Sequence, residues 1–368
     1  MKKISYLKKE TKSGIARMLS SSNYDIIIVG GGPAGVAAAI SCIQKGLSVV
    51  IVEGEKFPRY RPGETLHPGI EPLLMKLGVW EKMKKIGLLR HKGNWIKWDS
   101  KLYFAPFGSD ENGPWHGIQV WRANFDDILL KHAMSLGVKV IQPCHALRPI
   151  LKENRVIGLV IPNNELRASY LIDATGRRQW LAQQLGLKIE KYSPQLIARF
   201  GYVQGKCPPR DDAPAIIADI KGWTWTAKVR PKVYQWTRLS VAKESLEKSW
   251  LPEEFQGLTP LGKLSGADVT WRATTQPGGP GYFLVGDAAT VLDPSSSHGV
   301  LKAIMNGMMV GYLATKVLKE NQNEESIIQS YNHWIYNWFI HDVEKLRELY
   351  SLWPNFENDY KNNVKSNI

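Results

Sequence analysis

Residues 30–35, Gly-Gly-Gly-Pro-Ala-Gly, have the composition and spacing of a loop that can hold a phosphate group. Gly30 permits a tight turn, Gly32 leaves the backbone open to a pyrophosphate, and Gly35 allows a helix to pack closely on a strand. The N–H groups at the start of such a helix, together with its dipole, attract the anion. The chemistry that these residues predict is the binding of a dinucleotide through its pyrophosphate.

Two strands and one helix must hold this loop in place. The sequence predicts a buried strand at residues 25–29, a helix at 36–45 and a second buried strand at 48–52. Pro33 and Ala34 stand at the beginning of the helix, and Glu53 directly follows the second strand, where its carboxylate could accept hydrogen bonds from ribose hydroxyls. This order favours a Rossmann-like nucleotide-binding unit over a glycine-rich turn that binds nothing.

The next part of the chain predicts two further units. Residues 118–121, 125–136 and 138–141 have the pattern of a second strand–helix–strand unit. Residues 155–161 and 165–173 predict a β-hairpin around an Asn-Asn turn. The second hairpin strand runs into Asp-Ala-Thr-Gly, so it ends in a small-residue turn as the first strand of the chain does.

Residues 188–275 differ in character, because tryptophan becomes frequent and apolar residues alternate with polar ones. This alternation predicts antiparallel strands, which belong either to a substrate domain or merely to a tryptophan-rich core. A short strand at 282–285 and a long helix at 300–318 follow. Residues 326–353 repeat apolar side chains, Trp338 among them, at helical spacing, which favours packing on the core over binding of a partner.

Together these patterns predict an α/β protein. A Rossmann-like nucleotide-binding domain is interleaved with an antiparallel β-sheet substrate domain, and C-terminal helices follow. The predicted divisions are a basic N-terminal extension at 1–23, the nucleotide-binding domain at 24–187 and 276–320 with a substrate-side insertion at about 60–117, the β-rich substrate domain at 188–275, and a helical segment at 321–368.

Composition limits the partners and the compartment. The formal net charge of +14 favours either simple solubility or an acidic partner. Nucleic acid is not an expected partner, because the basic residues are spread along the chain without a nucleic-acid module. Cys42, Cys144 and Cys207 have no metal-site or CxxC spacing, and an odd count argues against a disulfide framework. No apolar run is long enough to cross a bilayer, so we expect a cytoplasmic protein with no metal and no membrane contact.

The order of several motifs resembles the FAD-dependent monooxygenases and flavin-dependent halogenases of the aromatic-hydroxylase superfamily. These motifs are GGGPAG at 30–35, Arg122 with Phe125-Asp126, DATG at 173–176, and GDAA at 286–289 followed by a loop of proline, serine and glycine. The resemblance covers roughly residues 24–318. It implies an FAD-dependent oxidoreductase, a monooxygenase, whose electrons come from NAD(P)H or from a separate reductase.

By this resemblance, separate segments assemble the FAD site. The glycine loop would hold the pyrophosphate, and Glu53 the adenosine ribose. Arg122 would lie near the phosphates and the ribitol, while Gly286 and Asp287 would bind the ribitol chain; the alternative for Arg122 and Asp287 is a surface ion pair. The loop before the long helix would lie at the flavin ring, because the helix N-terminus favours the negative charge of reduced flavin. The residues implied there are Pro294, Ser297, Gly299 and Val300.

No acid–base pair is evident from the sequence alone, so three residues are candidates by position. His298 lies in the loop expected to face the flavin, and histidine titrates near neutral pH. The alternative is that it only begins the helix. His67 and Glu64 lie in a segment expected near the substrate, where the alternative is an ordinary loop hydrogen bond.

The chain departs from the halogenase pattern at two points. Its Phe-Pro-Arg run at 57–59 resembles the halogenases, but those enzymes carry an essential lysine in the following helix. Pro72 occupies that position here, beside Glu71, and Lys76 stands one turn further on. The Trp-x-Trp strand at 223–225 lacks the isoleucine-proline pair that follows it in halogenases. Both departures argue against halogenation.

A smaller branch of the superfamily resembles this chain more closely. Residues 267–272, 281–289 and 293–301 are similar to the maturation flavoproteins of the quinone-dependent lysine and glycine oxidases. This resemblance implies transfer of one oxygen atom to a tryptophan of an acidic precursor protein during tryptophylquinone biogenesis. Two alternatives remain: a small-molecule flavoenzyme (an aromatic hydroxylase, a halogenase or a prenyl-chain reductase), or a flavoprotein that serves as a binding or maturation module.

Overall fold

The computed structural model describes residues 21–98, 101–241, 246–247, 249–296 and 298–351. The α-helices in these ranges are α1 Pro33–Ile43, α2 Ile70–Lys76, α3 Trp80–Lys84, α4 Arg122–Ser135, α5 Trp180–Gln184, α6 Gly299–Glu320 and α7 Glu324–Ser351. The strands are β1 Ser21–Val29, β2 Val49–Val52, β3 Thr65–Leu66, β4 Leu89–His91, β5 Gly93–Lys97, β6 Tyr103–Pro106, β7 Ser109–Asp110, β8 Gly113–Pro114, β9 Gly117–Gln119, β10 Lys139–Ile141, β11 Arg148–Lys152, β12 Arg155–Ile161, β13 Asn164–Asp173, β14 Ile189–Lys191, β15 Leu196–Gln204, β16 Ala215–Asp219, β17 Gly222–Arg230, β18 Val233–Val241, β19 Thr259–Asp268, β20 Arg272–Thr274, β21 Gly278–Gly279, β22 Tyr282–Leu284 and β23 Thr290–Val291. Among the described helices, none combines the length and the apolar character needed to span a membrane.

An eight-stranded sheet forms the nucleotide-binding part of the fold. Its parallel strands lie in the order β10, β2, β1, β13, and β22 pairs in parallel with the C-terminal end of β13. Residues 26–29 of β1 and all of β2 are β-branched and buried, as expected for parallel strands covered by helices. Because parallel strands end at the same edge, the segments after β1, β2, β13 and β22 meet there. That edge is where α/β sheets bind ligands.

The sequence prediction was correct for the first strand–helix–strand unit and for the hairpin, and wrong for the second unit. β12 and β13 pair antiparallel around Asn163, whose φ is +63°. In contrast, β9 pairs antiparallel with β3 and β4 in a separate small sheet, while β10 joins the main sheet beside β2. Residues 118–141 therefore connect two sheets. Apolar periodicity predicted the elements but carries no information about which sheet each strand joins.

The second large sheet has seven strands in the order β19, β15, β18, β17, β16, β5, β6. All its pairs are antiparallel except β16 with β5. Four of these strands confirm the antiparallel strands predicted from the alternating pattern of residues 188–275. β5 and β6 come from the segment after β2, so that segment extends the same sheet.

The two long helices close the fold. α6 packs on α1, and α7 buries a stripe against both sheets, which confirms core packing for this helix. The buried stripe comprises Ile328, Tyr331, Ile335, Phe339, Val343, Leu346 and Tyr350. The predicted face was wrong at Trp338, which is 45% exposed, because a stripe with a repeat of 3.6 residues passes through Phe339 instead. Trp353 lies outside the described residues.

One predicted domain boundary is wrong, the end of the basic N-terminal extension at residue 23. β1 begins at Ser21, so residues 21–23 belong to a strand of the main sheet and not to the basic extension. Residues 1–20 lie outside the described part of the chain. The other division boundaries stay predictions.

Candidate active site and FAD cradle

The glycine loop after β1 is shaped by contacts that only glycine allows. Gly30 has φ +108°, and a Cβ there would lie 2.4 Å from the carbonyl oxygen of Ala174, in the turn after β13. A Cβ on Gly35 would lie 2.0 Å from the carbonyl oxygen of Gly30. Gly32 differs, because the nearest atom to its Cβ position is a guanidinium nitrogen of Arg59 at 3.5 Å. Two glycines thus serve packing, and the third leaves backbone accessible, as a pyrophosphate site requires.

Glu53, at the end of β2, stabilises this loop through hydrogen bonds of its carboxylate. Its Oε2 accepts a hydrogen bond from the N–H of Gly31 at 2.6 Å, and its Oε1 accepts one from the N–H of Glu55 at 2.8 Å. Glu53 is buried, so the acid predicted to bind ribose also fixes the loop conformation. Its position beside the loop fits both roles.

Arg59 is a residue to which the sequence analysis gave no role. Its guanidinium lies 3.6 Å from the carboxylate of Asp126 and 4.0 Å from that of Glu53. Its Nε is buried and has no hydrogen-bond partner among the described residues. Buried donors are nearly always satisfied, so an unpaired cationic donor in front of Gly32 fits an anionic ligand at this point. The signal in the sequence was the Phe-Pro-Arg run, which was used only as a mark of resemblance.

Arg122, at the beginning of α4, forms a buried ion pair and not the surface ion pair weighed as the alternative. Its Nε and Nη2 donate to the two carboxylate oxygens of Asp126 at 2.9 and 3.0 Å, and Nη1 donates to the carbonyl of Pro62 at 2.9 Å. Burial alone would lower the pKa of Arg122, but Asp126 raises it. This arginine therefore stays charged beside the glycine loop.

Asp287 and Gly286 form the turn after β22. Burial raises the pKa of the Asp287 carboxyl, while the positive charges of Arg177, Arg272 and Arg122 oppose that rise. Asp287 thus lies within electrostatic reach of Arg122, although 165 positions separate the two in the sequence. The structure brings both predicted FAD residues to one space at the edge of the main sheet.

α6 is held over the start of α1 by close backbone packing. A Cβ on Gly307 would lie 2.2 Å from the carbonyl oxygen of Ala34, and a Cβ on Gly286 would lie 3.2 Å from the Cβ of Ala34 and 3.5 Å from that of Ala303. The helix rises about 1.5 Å per residue. Its first residue, Gly299, therefore lies about 12 Å along the helix axis from Gly307 and about 6 Å from Ala303.

Hydrogen bonds to the carboxylate of Asp293 anchor the loop before α6. The indole N–H of Trp271 donates to Oδ2 of the buried Asp293 at 2.6 Å, and the N–H of Ser295 donates to Oδ1 at 2.9 Å. Pro294 begins a short 3-10 turn at this anchor. Sequence reasoning gave Asp293 no role, because nothing local shows that its partner is Trp271. Ser297, a predicted FAD contact, lies outside the described residues.

His67 and His298, two of the three candidate catalytic residues, form a ring pair. Their centroids are 4.6 Å apart, with 47° between the ring planes. The N–H of Gly69 donates to Nδ1 of His67 at 3.0 Å, so the neutral His67 ring carries its proton on Nε2. Burial, followed by the charges of His67, Lys302 and Lys345, lowers the pKa of His298 to about 4. His298 is therefore neutral at physiological pH and can accept a proton.

Glu64, the third candidate, lies on the Arg122 side of the site. It is 2% exposed; its Oε1 accepts a hydrogen bond from the hydroxyl of Tyr202, and its Oε2 accepts one from the N–H of Gly63 at 2.9 Å. Burial raises its pKa to about 7, against the opposing effects of Tyr202 and Arg122. A carboxyl with this pKa can exchange a proton near neutral pH. The three candidates thus divide into a histidine pair and a separate glutamate–tyrosine pair.

Helix α2 has Pro72 at the position where the resemblance to halogenases predicts a lysine, and this correspondence stays a prediction. Pro72 is exposed, and Glu71 forms an ion pair with Arg90 at 3.0 Å. Lys76, in the last turn, is also exposed. The Trp-x-Trp strand contributes to the core, because Trp223 is buried and its indole N–H donates to the hydroxyl of Tyr350 at 2.7 Å.

The donor set described above fits FAD: a glycine-lined loop at a helix N-terminus, a buried arginine donor with no partner among the described residues, and the buried carboxylate of Asp287. The family described as "FAD binding domain" matches residues 23–216, which is more than half of the chain. The chain belongs to this family. It is a member of the superfamily of FAD-dependent monooxygenases and flavin-dependent halogenases, and FAD is its cofactor.

The curated relatives of this chain include several halogenases. A tryptophan 2-halogenase of Chondromyces crocatus is 26% identical over 87% of this chain and 66% of its own length. The flavin-dependent halogenase armH4 of Armillaria mellea is 29% identical over 77% of this chain and 63% of its own length. A 1H-pyrrole-2-carbonyl-[peptidyl-carrier protein] brominase of Pseudoalteromonas luteoviolacea is 27% identical over 86% and 83%. This chain therefore spans slightly less than two thirds of the first two relatives.

Solved structures share the fold. The myxobacterial chondrochloren halogenase CndH superposes with a TM-score of 0.83, at 24% identity over 90% of this chain and 83% of that one. The flavin-dependent brominase Bmp2 gives a TM-score of 0.75 at 24% identity, over 86% and 84%. A geranylgeranyl bacteriochlorophyll reductase-like protein of Thermoplasma acidophilum gives 0.76 at 22% identity, over 90% and 87%. At these identities the likeness concerns the fold alone.

Proposed function

We propose that this chain is an FAD-dependent enzyme that oxidises an electron-rich aromatic ring held against His67 and His298. The observation that carries the proposal is the histidine pair, whose ring centroids are 4.6 Å apart at the N-terminus of α6, the helix whose Ala303 lies beside the Gly286 turn. When bound and reduced, FAD would supply the electrons that activate molecular oxygen, which is a co-substrate. The residues of this chain then have three tasks: Gly32 and Arg59 hold the pyrophosphate, Asp287 orients the ribitol, and a ring nitrogen of His298 takes up the proton that the aromatic ring loses.

The transferred group in the first candidate function is oxygen. Helix α2 supports this choice, because Pro72 stands where halogenases have their lysine and the lysine of this helix, Lys76, is exposed at its end. Without a buried lysine in α2, two candidate residues can take up a proton: His298, which is neutral at physiological pH, and Glu64, whose pKa is raised to about 7.

The aromatic ring in this candidate is a tryptophan of an acidic partner protein, modified while a tryptophylquinone cofactor is formed. Three observations support it: the resemblance of residues 293–301 to the maturation flavoproteins, the net charge of +14, and a relative named for a substrate carried by a protein. The electrons come from NAD(P)H or from a separate reductase, and we place the reaction in the cytoplasm. The three cysteines are all unpaired, which fits a reducing compartment.

The second candidate is halogenation of a small aromatic molecule, either free or bound to a carrier protein. The names of the relatives favour this candidate over the first, since they include a tryptophan halogenase and a carrier-protein brominase. Under this candidate, His298 or a lysine outside α2 would take the place of the lysine that α2 lacks.

One experiment separates the candidates. The FAD-loaded protein is reduced without oxygen and then mixed with oxygen, with and without bromide, in the presence of free tryptophan or of an acidic peptide that contains one tryptophan. Mass spectrometry then identifies the product. A gain of oxygen on the peptide, independent of bromide, supports the first candidate, and bromine on free tryptophan supports the second. Peroxide with no product from either compound would contradict the proposed function.

A further inference from the structure

A cleft lies between α6 and α7, and we call it the α6–α7 cleft. It encloses about 390 Å³ with its opening to solvent included, and Trp338, which is 45% exposed, marks where it opens. Its polar and aromatic residues include Lys302 and Asn306 on α6 and Trp334, Trp338, Phe339 and Asp342 on α7. A mostly apolar cleft of this size with a few polar groups is the usual form of a small-molecule site.

The α6–α7 cleft begins at the candidate active site. The N–H of Lys302 donates to the carbonyl of His298 at 2.9 Å, one helical turn back. Residues 298, 302, 305 and 306 have the spacing of one helix face, so the face that lines the cleft starts at His298. Further along, Oδ1 of Asn306 accepts a hydrogen bond from the N–H of Gly286 at 3.2 Å, in the turn expected to bind the ribitol. A molecule in the cleft would therefore lie beside both the histidine pair and the FAD cradle.

Lys302 and Asp342 form an ion pair that lines this cleft. Their side chains are only 24% and 15% exposed. Burial, together with the charge of Lys345, lowers the pKa of Lys302 to about 8, so this lysine is mainly charged at neutral pH. Apolar side chains could join two helices at least as well as a largely buried ion pair does, so the retained charges favour a role in binding.

A second lysine adds to the positive charge of the cleft. Lys345 lies three residues beyond Asp342 on α7, and its charge contributes to the lowered pKa values of Lys302 and His298. The two lysines face one aspartate, which leaves one positive charge in excess. The positive end of the α6 dipole, at His298, adds to this potential. The α6–α7 cleft therefore favours an anionic group.

Other acids near the two helices do not cancel this excess. The acids at 320–325 lie where α6 ends and α7 begins, at the opposite end of both helices. Glu344 and Glu348 follow Asp342 by two and six residues, so they lie away from the face of α7 that lines the cleft. Asp293, in the loop before α6, already accepts two hydrogen bonds, and burial raises the pKa of its carboxyl.

Aromatic side chains determine the other half of the ligand. The indoles of Trp334 and Trp338, whose ring centroids are 6.4 Å apart, and the buried ring of Phe339 line the cleft. Aromatic rings pack edge to face or offset against one another, so this wall suits a planar ring. The ammonium of Lys302 has three N–H donors, so it can donate to Asp342 and to a ligand carboxylate at the same time. An aromatic carboxylate fits both features.

We propose that the α6–α7 cleft binds an aromatic substrate that carries a carboxylate, with the carboxylate on Lys302 and the ring toward His298. Asp342 shares the ammonium of Lys302 with the ligand. This inference rests on the proposed function and names its substrate class. The carboxylate belongs to a free aromatic acid or to an acidic residue beside a tryptophan of a partner protein, so both candidate functions can use the cleft.

The test compares two ligands with the same ring and opposite charge. Indole-3-propionate and tryptamine both carry an indole on a short alkyl chain, which ends in a carboxylate or in an ammonium. Isothermal titration calorimetry of the oxidised, FAD-loaded protein should show at least about tenfold tighter binding of indole-3-propionate. Lys302→Met should weaken this binding about tenfold, whereas Asp342→Asn should strengthen it, because a repelling carboxylate is removed. Lys316→Met, which removes another ion-paired lysine of α6, is the control and should bind as the wild type does.

Opposite effects of the two substitutions separate ligand binding from a structural role. Either substitution would break an ion pair that only joined α6 to α7, so both variants would then bind more weakly by a similar factor. That result, or equal affinity of the wild type for the two ligands, would overturn the proposal. Because calorimetry needs no turnover, selective binding without any product contradicts the proposed function and leaves the assignment of the cleft intact.

Two peptides identify the source of the carboxylate. Each contains one tryptophan, flanked by aspartates in the first peptide and by asparagines in the second. Tighter binding of the aspartate peptide, reduced in Lys302→Met, supports an acidic residue of a partner protein as the source. Binding of indole-3-propionate alone supports a free aromatic acid. If the wild-type protein binds neither indole-3-propionate nor the aspartate peptide, the proposal is wrong.

Discussion

The FAD cradle and the substrate side of this molecule are built in opposite ways. In the cradle, backbone packs against backbone: the loop after β1 touches the turn after β13, and α6 touches α1, at distances that no side chain would fit. On the substrate side, side chains from distant segments meet, as His67 meets His298 and Glu64 meets Tyr202. Backbone packing fixes the position of a cofactor, whereas side-chain contacts can be exchanged without loss of the fold.

This difference predicts how substitutions in the two regions of this chain will act. Contacts that require glycine leave few permitted substitutions, so the cradle must be kept for FAD to bind at all. On the substrate side, α2 packs through Ile70 and Leu74, so its exposed positions, Pro72 among them, can change without loss of this packing. Substitutions in the two regions should therefore have different consequences.

The largest effect is expected in the cradle, for Gly30→Ala. The substitution combines a φ of +108° with a contact of 2.4 Å to a backbone carbonyl that cannot move aside. We expect a loss of about 2–6 kcal/mol in the free energy of unfolding, together with loss of FAD binding. Urea denaturation and FAD fluorescence titration measure the two effects.

The matched control for Gly30→Ala is Gly266→Ala in β19. Gly266 lies in the second sheet, where the nearest atom to its Cβ position is the carbonyl oxygen of Ala198 at 3.8 Å. This control should change the free energy of unfolding by less than about 1 kcal/mol. If Gly30→Ala behaved like the control, the cradle would not depend on backbone packing.

A large effect on activity, without an effect on the cradle, is expected for His298→Ala. FAD should bind as in the wild type, while product formation should fall by about a hundredfold or more, because the site loses its neutral proton acceptor. His333→Ala, an exposed histidine on α7, is the control and should keep the wild-type rate. Unchanged product formation in His298→Ala would remove this residue from the mechanism.

The sequence predicted the first strand–helix–strand unit, which carries the glycine loop, because its signals are local. The glycine loop, Glu53 and the turn at Gly286 each follow a short buried strand, and the rule that parallel strands end at one edge places them together. The substrate side was predicted only as separate candidates. Nothing local shows that His67 lies against His298, since the contact depends on how α6 is placed over α1.

The same limit applies to buried polar side chains whose partners are distant in sequence. Glu64 was singled out, but its partner Tyr202 was not, because 138 positions separate them. The wrong assignment of residues 118–141 to one unit has the same cause, since periodicity predicts an element and not its neighbours. Only the folded chain shows these pairs.

A moderate effect that depends on pH is expected for Glu64→Gln. Burial raises the pKa of Glu64 in the folded protein to about 7, above the ordinary value of 4.5. The folded apoprotein then binds a proton more tightly than the unfolded chain, so this contribution to stability is present below the unfolded pKa and is lost as the pH rises through 7. Wild-type stability should fall by up to about 3 kcal/mol over this window.

Urea midpoints of the apoprotein at roughly pH 4.5 and pH 8 measure this change. Glutamine cannot ionise, so the variant should show a smaller fall than the wild type across the same window. The reverse result, a steeper fall in Glu64→Gln, would mean that the carboxyl is ionised in the folded protein at both pH values.

The smallest effect is expected for Lys76→Ala, which tests the substrate side where it departs from the halogenases. Lys76 is exposed in the last turn of α2, so its removal should leave the free energy of unfolding within about 0.5 kcal/mol and product formation within about twofold of the wild type. Lys82→Ala, which loses a contact to His132 at 2.9 Å, is the lysine control away from the site. A selective loss of brominated product in Lys76→Ala would mean that the lysine acts one turn beyond its usual position. The second candidate function would then replace the first. The halogenation chemistry of the substrate side would in that case depend on Lys76, one helical turn beyond the position of Pro72.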